Sequence, residues 1–94
     1  MRLSRGGILV MQKLLSDLEL GHDARIIKVN GSGAVRRRMI DMGIVPGMEI
    51  RMVRYAPLGD PIEIKLKGCH LSLRKEEAET VLVEEIGGAV NEAK

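Results

Sequence analysis

A chain of 94 residues holds one small domain, because a second core would have too few residues to be stable. Its 15 basic and 13 acidic residues leave a net charge of +2, which excludes a strong general pull toward nucleic acid or an anionic membrane. Hydrophobic residues make up 45%, ordinary for a packed core, yet only 1% are aromatic, so Ile, Leu, Val and six Met must fill it.

In chain order, residues 1–10 (MRLSRGGILV) read as a flexible N-terminal extension, by the rule that untied termini are poorly ordered. The apolar run there is too short for a signal-peptide core, and no small-residue cleavage pattern follows it. No stretch approaches the roughly twenty apolar residues of a membrane span. The single cysteine cannot close an internal disulfide, which fits a reducing cytosol. Residues 11–86 read as the domain and residues 87–94 as a polar tail.

Leu14, Leu15, Leu18 and Leu20 surround Ser16, which is placed to cap one helical turn over residues 17–20, closed by Gly21. Residues 24–30 (ARIIKVN) predict a first strand, ended by Asn30 and Gly31. Residues 32–47 (SGAVRRRMIDMGIVPG) predict a helix, its stop and a turn. Ser32 is placed to cap the helix, and Val35, Met39 and Met42 form one apolar stripe. Arg36, Arg37 and Arg38 lie off that stripe, with Asp41 spaced to meet Arg37 or Arg38. Gly43 allows a left-handed stop, and Pro46-Gly47 fits a type II turn.

Residues 48–55 (MEIRMVRY) alternate, with Met48, Ile50 and Met52 on one face. A turn follows at Leu58, Gly59, Asp60 and Pro61, where Pro61 is tolerable only at the opening of a strand. Ile62, Ile64 and Leu66 alternate strictly with Glu63, Lys65 and Lys67, a half-buried strand. Gly68-Cys69 is placed to bend the chain into residues 70–74, with Leu71 and Leu73 facing in. Residues 75–79 hold one helical turn, and residues 80–86 (TVLVEEI) form the last strand. Five short strands and one helix between the first two predict a small, mainly-β domain curled into a partly open barrel.

The residues that carry a family pattern run from about 14 to 84. They are Leu18, Gly21, Gly31, the helix run Arg37, Arg38, Met39, Ile40, Asp41, Met42 and Gly43, then Pro46-Gly47. They continue through residues 56–61 (APLGDP), Gly68 and residues 71–74 (LSLR). In this order and spacing they resemble the FeoA family, small cytosolic proteins of bacterial ferrous-iron uptake. The resemblance implies an SH3-like five-stranded, partly open barrel with one short α-helix. It implies a cytosolic accessory or adapter protein that docks on the cytoplasmic part of a FeoB-type membrane transporter. Docking would support the transporter's assembly or regulate its GTPase and transport cycle, and would recruit the chain to the inner face of the membrane. It implies no required cofactor, with Fe(II) or another divalent metal at most in transit; the near-absence of aromatics and of any long apolar stretch predicts no nucleic-acid partner and no direct membrane insertion. An exposed strand edge and the apolar residues 8–11 would permit a homo-oligomer. The alternative is a free-standing regulatory module related to the C-terminal SH3-like domain of metal-dependent transcriptional repressors.

The side chains point to binding rather than catalysis. A nucleophile would have to come from Cys69 with His22 or His70, and adjacent Cys69 and His70 point to opposite faces of a strand. Residues 30–33 (NGSG) lack the lysine of a phosphate loop. His22, Cys69 and His70 are weak metal candidates without chelating spacing. Tyr55, the sole aromatic, supplies neither a base-stacking platform nor the aromatic groove of a proline-peptide binder. The candidate partner surface is Arg36, Arg37, Arg38, Met42, Ile44, Tyr55, Ala56 and Leu58; for Met42 and Ile44 the competing reading is plain core. Gly43, Pro46, Gly47, Gly59 and Asp60 are the turn residues that shape it.

Overall fold

Alternating apolar positions drive six of the strands into one antiparallel sheet, seen in a computed structural model that describes residues 12–86 and the segments Arg2–Leu3 and Leu9–Val10. In chain order the elements are β1 (Arg2–Leu3), β2 (Leu9–Val10), β3 (Gln12–Leu14), a 3₁₀ turn (Leu15–Asp17) and β4 (Asp23–Val29). Then come α1 (Gly33–Asp41), β5 (Glu49–Tyr55), β6 (Ile62–Leu66), β7 (Cys69–Leu73), α2 (Lys75–Ala78) and β8 (Val81–Ile86). The large sheet runs β3-β8-β4-β5-β6-β7, and among the described residues β1 pairs only with β2. Among the described residues no pairing joins β7 to β3, so the barrel is open, as expected. The flexibility expected of residues 1–10 and 87–94 falls, apart from β1 and β2, outside the described residues.

The sheet has six strands rather than five. The addition is β3, whose residues pair with β8 as Gln12↔Glu84, Lys13↔Val83 and Leu14↔Leu82. Three residues are too few to show a period, so only the long-range pairing reveals them as a strand. Bulges fall between Ile26 and Lys28 on β4 and between Met52 and Arg54 on β5, and such extra residues bend a sheet toward closure. The tight β6–β7 turn is made by Lys67 and Gly68, not Gly68 and Cys69. Both have positive φ, 52° and 80°, and Leu66 pairs with Cys69 across them, the geometry of a two-residue hairpin loop.

The core is aliphatic with two methionines. Leu15, Leu18, Ile26, Met39, Ile44, Met52, Ile62, Ile64, Leu73, Val81 and Val83 are all fully buried. The helical turn expected at residues 17–20 lies earlier, at Leu15–Asp17, with Leu14 rather than Ser16 at its N-cap. Leu15 and Leu18 are both buried three residues apart, which is the period of a 3₁₀ turn.

α1 packs only through its second half. Met39 is fully buried and Met42 lies against the core, but Val35 is 38% exposed. It lies over Gly31 and the Thr80 side chain, beyond the edge of the core. Ser32 is the N-cap by backbone geometry, yet its side chain makes no capping bond. The helix ends in a Schellman motif: the Gly43 N–H donates to the Ile40 carbonyl (2.9 Å) and the Ile44 N–H to the Met39 carbonyl (3.0 Å). Gly43 takes φ 95°, as does Gly47 in the turn closed by the Met48 N–H on the Val45 carbonyl (3.2 Å).

These two glycines separate strain from crowding. A Cβ on Gly43 would meet Leu66 Cδ2 at 3.1 Å, whereas one on Gly47 would meet nothing within 4 Å. Gly43→Ala is expected to cost about 2 kcal/mol and Gly47→Ala about 1 kcal/mol. Urea midpoints at unchanged slope measure both, and equal losses would mean that Leu66 yields freely.

Candidate functional site

α1 presents its arginines in two directions. Arg36 and Arg37 are exposed, make no ion pair among the described residues, and line a shallow concavity with Gly33, Ile40 and Asp41. Asp41 does not engage Arg37 or Arg38 as its spacing suggested. Arg38 instead reaches α2, its Nε lying 2.9 Å from Glu77 Oε2. Glu77 Oε1 also accepts the Arg74 N–H at 2.9 Å, so this 8% exposed carboxylate ties α1 to the start of α2. A carboxylate buried this far needs such partners to offset its desolvation.

The β5–β6 loop is built as a rigid tip. The Ala56 N–H donates to the Pro61 carbonyl (3.0 Å) and the Gly59 N–H to the Ala56 carbonyl (2.7 Å), with Gly59 at φ 85°. Asp60 Oδ1 accepts the Lys75 N–H at 2.9 Å, which fastens the tip to α2. Leu58 stands out from it 95% exposed. Beside the tip, Arg38, Pro61, Ser72, Leu73 and Arg74 line a second concavity.

Of the expected partner surface, Ile44 is fully buried and belongs to the core, so it drops out. Met42 is half-buried against the same core. Tyr55 is a tether: its hydroxyl is shared between the carbonyls of Ser16, at 3.2 Å, and Leu18. Burial raises its phenol pKa. Ala56 is half-buried at the loop's base, leaving Arg36, Arg37, Arg38 and Leu58 as the exposed members.

The metal candidates lie apart. β5 and β6 separate β4, which His22 precedes, from β7, which carries Cys69 and His70. His70 Nδ1 is 2.8 Å from Glu63 Oε2, and Cys69 is exposed. His22 sits between Glu85 and Glu19. Among the described residues no group of three or more His, Cys, Asp or Glu is placed to hold a metal ion.

Two clamps escaped sequence reasoning because each joins distant strands. Lys13 Nζ lies 2.8 Å from Glu85 Oε1 and locks β3 to β8; Arg51 meets Asp23 through Nε (2.6 Å) and a terminal nitrogen (3.1 Å). The Lys13 hydrogen bond, outweighing burial and helped by His22, holds the Glu85 carboxyl below its ordinary range. Arg51 lowers Asp23 in the same way.

Because both carboxyls are lowered by folding, their contribution is complete above the ordinary carboxylate range, near about pH 4, and is lost as pH falls through the lowered values. Urea midpoints should therefore decline in acid, and less steeply in Glu85→Gln than in the wild type. Parallel pH curves for the two would show that Glu85 carries none of the acid sensitivity.

The family model for the FeoA domain matches residues 13–85. Over 70 residues the chain is 42% identical to the Fe(2+) transport protein A/Fe(2+) transporter FeoB fusion protein of Porphyromonas gingivalis, covering 74% of this chain and 8% of that one. It is similar to the solution structure of iron(II) transport protein A from Clostridium thermocellum, with 44% identity, a TM-score of 0.77, and 80% of this chain and 46% of that chain covered. It is also similar to a zinc complex of FeoA from Stenotrophomonas maltophilia, described as a prokaryotic SH3 domain protein. There the identity is 33%, the TM-score 0.67, and the coverage 76% of this chain and 88% of that chain. T. acidophilum IdeR, 16% identical with a TM-score of 0.72 over 88% of this chain and 39% of that one, shares the fold alone. The chain thus spans less than half the length of the fusion protein and of the clostridial chain. The fold is the expected mainly-β SH3-like one, and among the described residues no helix is long and apolar enough to cross a membrane.

Proposed function

The chain belongs to the FeoA family, and from that premise we propose that it is an accessory protein of ferrous-iron uptake, docking on the cytoplasmic part of a FeoB-type transporter. Docking supports the transporter's assembly or regulates its GTPase and transport cycle. The observation that carries this reading is the Porphyromonas gingivalis relative, whose name joins Fe(2+) transport protein A and the FeoB transporter in one fused protein. A fusion holds its two parts at high effective concentration, which is useful only if the parts work together.

The surface fits such a role. Arg36 and Arg37 offer unneutralised charge to an acidic partner, and Leu58 offers apolar area. On this reading the chain acts by binding rather than as an enzyme, in the cytoplasm at the inner face of the membrane. Fe(II) is the transporter's cargo, and the chain needs no resident metal. The regulatory alternative has behind it only the likeness to IdeR at 16% identity, which shows the fold and says nothing of function.

The test adds the purified chain to a FeoB-type transporter in membranes and follows GTP hydrolysis, Fe(II) uptake and transporter oligomeric state. At least one should change by about twofold or more, the least that a coupling of about 0.4 kcal/mol would give. Three unchanged readouts would overturn the reading.

A further inference from the structure

Arg38 belongs with Arg74 rather than with its own neighbours in sequence. It lines a notch of about 230 Å³ with Pro61, Ser72, Leu73 and Arg74, while Arg36 and Arg37 line a different concavity. The five notch residues carry two positive charges and no negative one. Two acids adjoin these residues: Asp60 accepts the Lys75 N–H, and Glu77 is engaged through both oxygens. One of its oxygens holds Arg38 Nε, and the other holds the Arg74 backbone N–H. Arg38 is thus paired with Glu77 through Nε, while the Arg74 guanidinium makes no ion pair among the described residues.

Arg38, fixed through Nε, and the exposed Arg74 side chain beside it in the notch lining offer N–H donors to a carboxylate, which arginine grips through paired N–H bonds. Next to the notch stands Leu58, three residues before Pro61 in the loop closed by the Ala56–Pro61 hydrogen bond and fastened through Asp60 to Lys75. An apolar side chain 95% exposed on a fixed tip contributes nothing to this fold. Covered by a partner, it would gain the usual free energy of apolar burial.

We propose that the Arg38–Arg74 notch receives a carboxylate side chain from an acidic amphipathic segment of a partner protein, whose apolar residues cover Leu58. That the partner is the transporter rests on the docking reading above; the chemistry of the notch does not. A protein segment fits better than a lipid surface, because one leucine and a net charge of +2 give weak anchoring to a bilayer. The notch is also concave, whereas headgroup binding needs only an open basic face.

The experiment titrates isotope-labelled chain with a short amphipathic helical peptide of leucine and glutamate, in parallel with phosphatidylcholine–phosphatidylglycerol vesicles. The same series is run with a full-length FeoB-type transporter in membrane nanodiscs. Peptide should shift the amides of Leu58, Ile62, Ser72, Leu73 and Arg74. Arg74→Gln should weaken it about tenfold or more and Arg36→Gln about threefold or less, as expected for a direct contact against a nearby charge. Leu58→Ser should also weaken it. Arg74 and Leu58 are exposed, so both variants should keep the wild-type urea midpoint, which guards against loss of fold. No peptide shifts, equal losses from Arg36→Gln and Arg74→Gln, or binding to vesicles alone would overturn the notch. Peptide bound at the notch with no binding of the transporter leaves the notch standing and overturns the docking reading. Transporter binding that Arg74→Gln does not weaken does the reverse.

Discussion

The helix stop at Gly43 is the constraint on which the arrangement depends. A nine-residue helix is marginal by itself in water, so α1 depends on the packing of Met39 and on its pinned end. The two carbonyls that the stop satisfies belong to Met39 and Ile40, and the residue it delivers next is Ile44. Met39 and Ile44 are both fully buried, so capping and core packing are one event. Four residues on, the Gly47 N–H donates to the Ile26 carbonyl and the Ile26 N–H to the Met48 carbonyl, both at 2.8 Å. Helix, turn and the β4–β5 pairing are thereby set relative to each other.

Glu77 performs the matching task on the other side of α1. It belongs to a helix of four residues, too short to be stable alone, forms an ion pair with Arg38 and accepts the backbone N–H of Arg74. Position and charge are linked here. The carboxylate that meets the Arg38 side chain and the Arg74 backbone is itself nearly withdrawn from solvent, whereas both arginine side chains are exposed.

What was legible in the sequence was local. The stop at Gly43, the alternation of Ile62, Ile64 and Leu66 and the turn at Pro46-Gly47 each depend on residues within a few positions, so their pattern is complete in the sequence. The missed features depend on residues far apart. β3 is a strand because Lys13 faces Val83 and binds Glu85; the Glu77 clamp needs Arg38; Tyr55 is held by Ser16 and Leu18. Val35 has the right period for a buried stripe, but periodicity cannot say where the sheet beneath it ends. The candidate surface was mixed for the same reason: Arg36, Arg37, Arg38 and Leu58 are exposed, whereas Ile44 supports them from inside.

The pairing of β3 with β8 has a consequence for architecture. Gln12 lies opposite Glu84, so the chain enters the domain and leaves it on adjacent antiparallel strands, with both crossings at one edge region of the sheet. A domain wired in this way behaves as a plug-in cassette. It can be spliced to a longer polypeptide through either end, or through both, without threading a linker across its surface or opening the sheet.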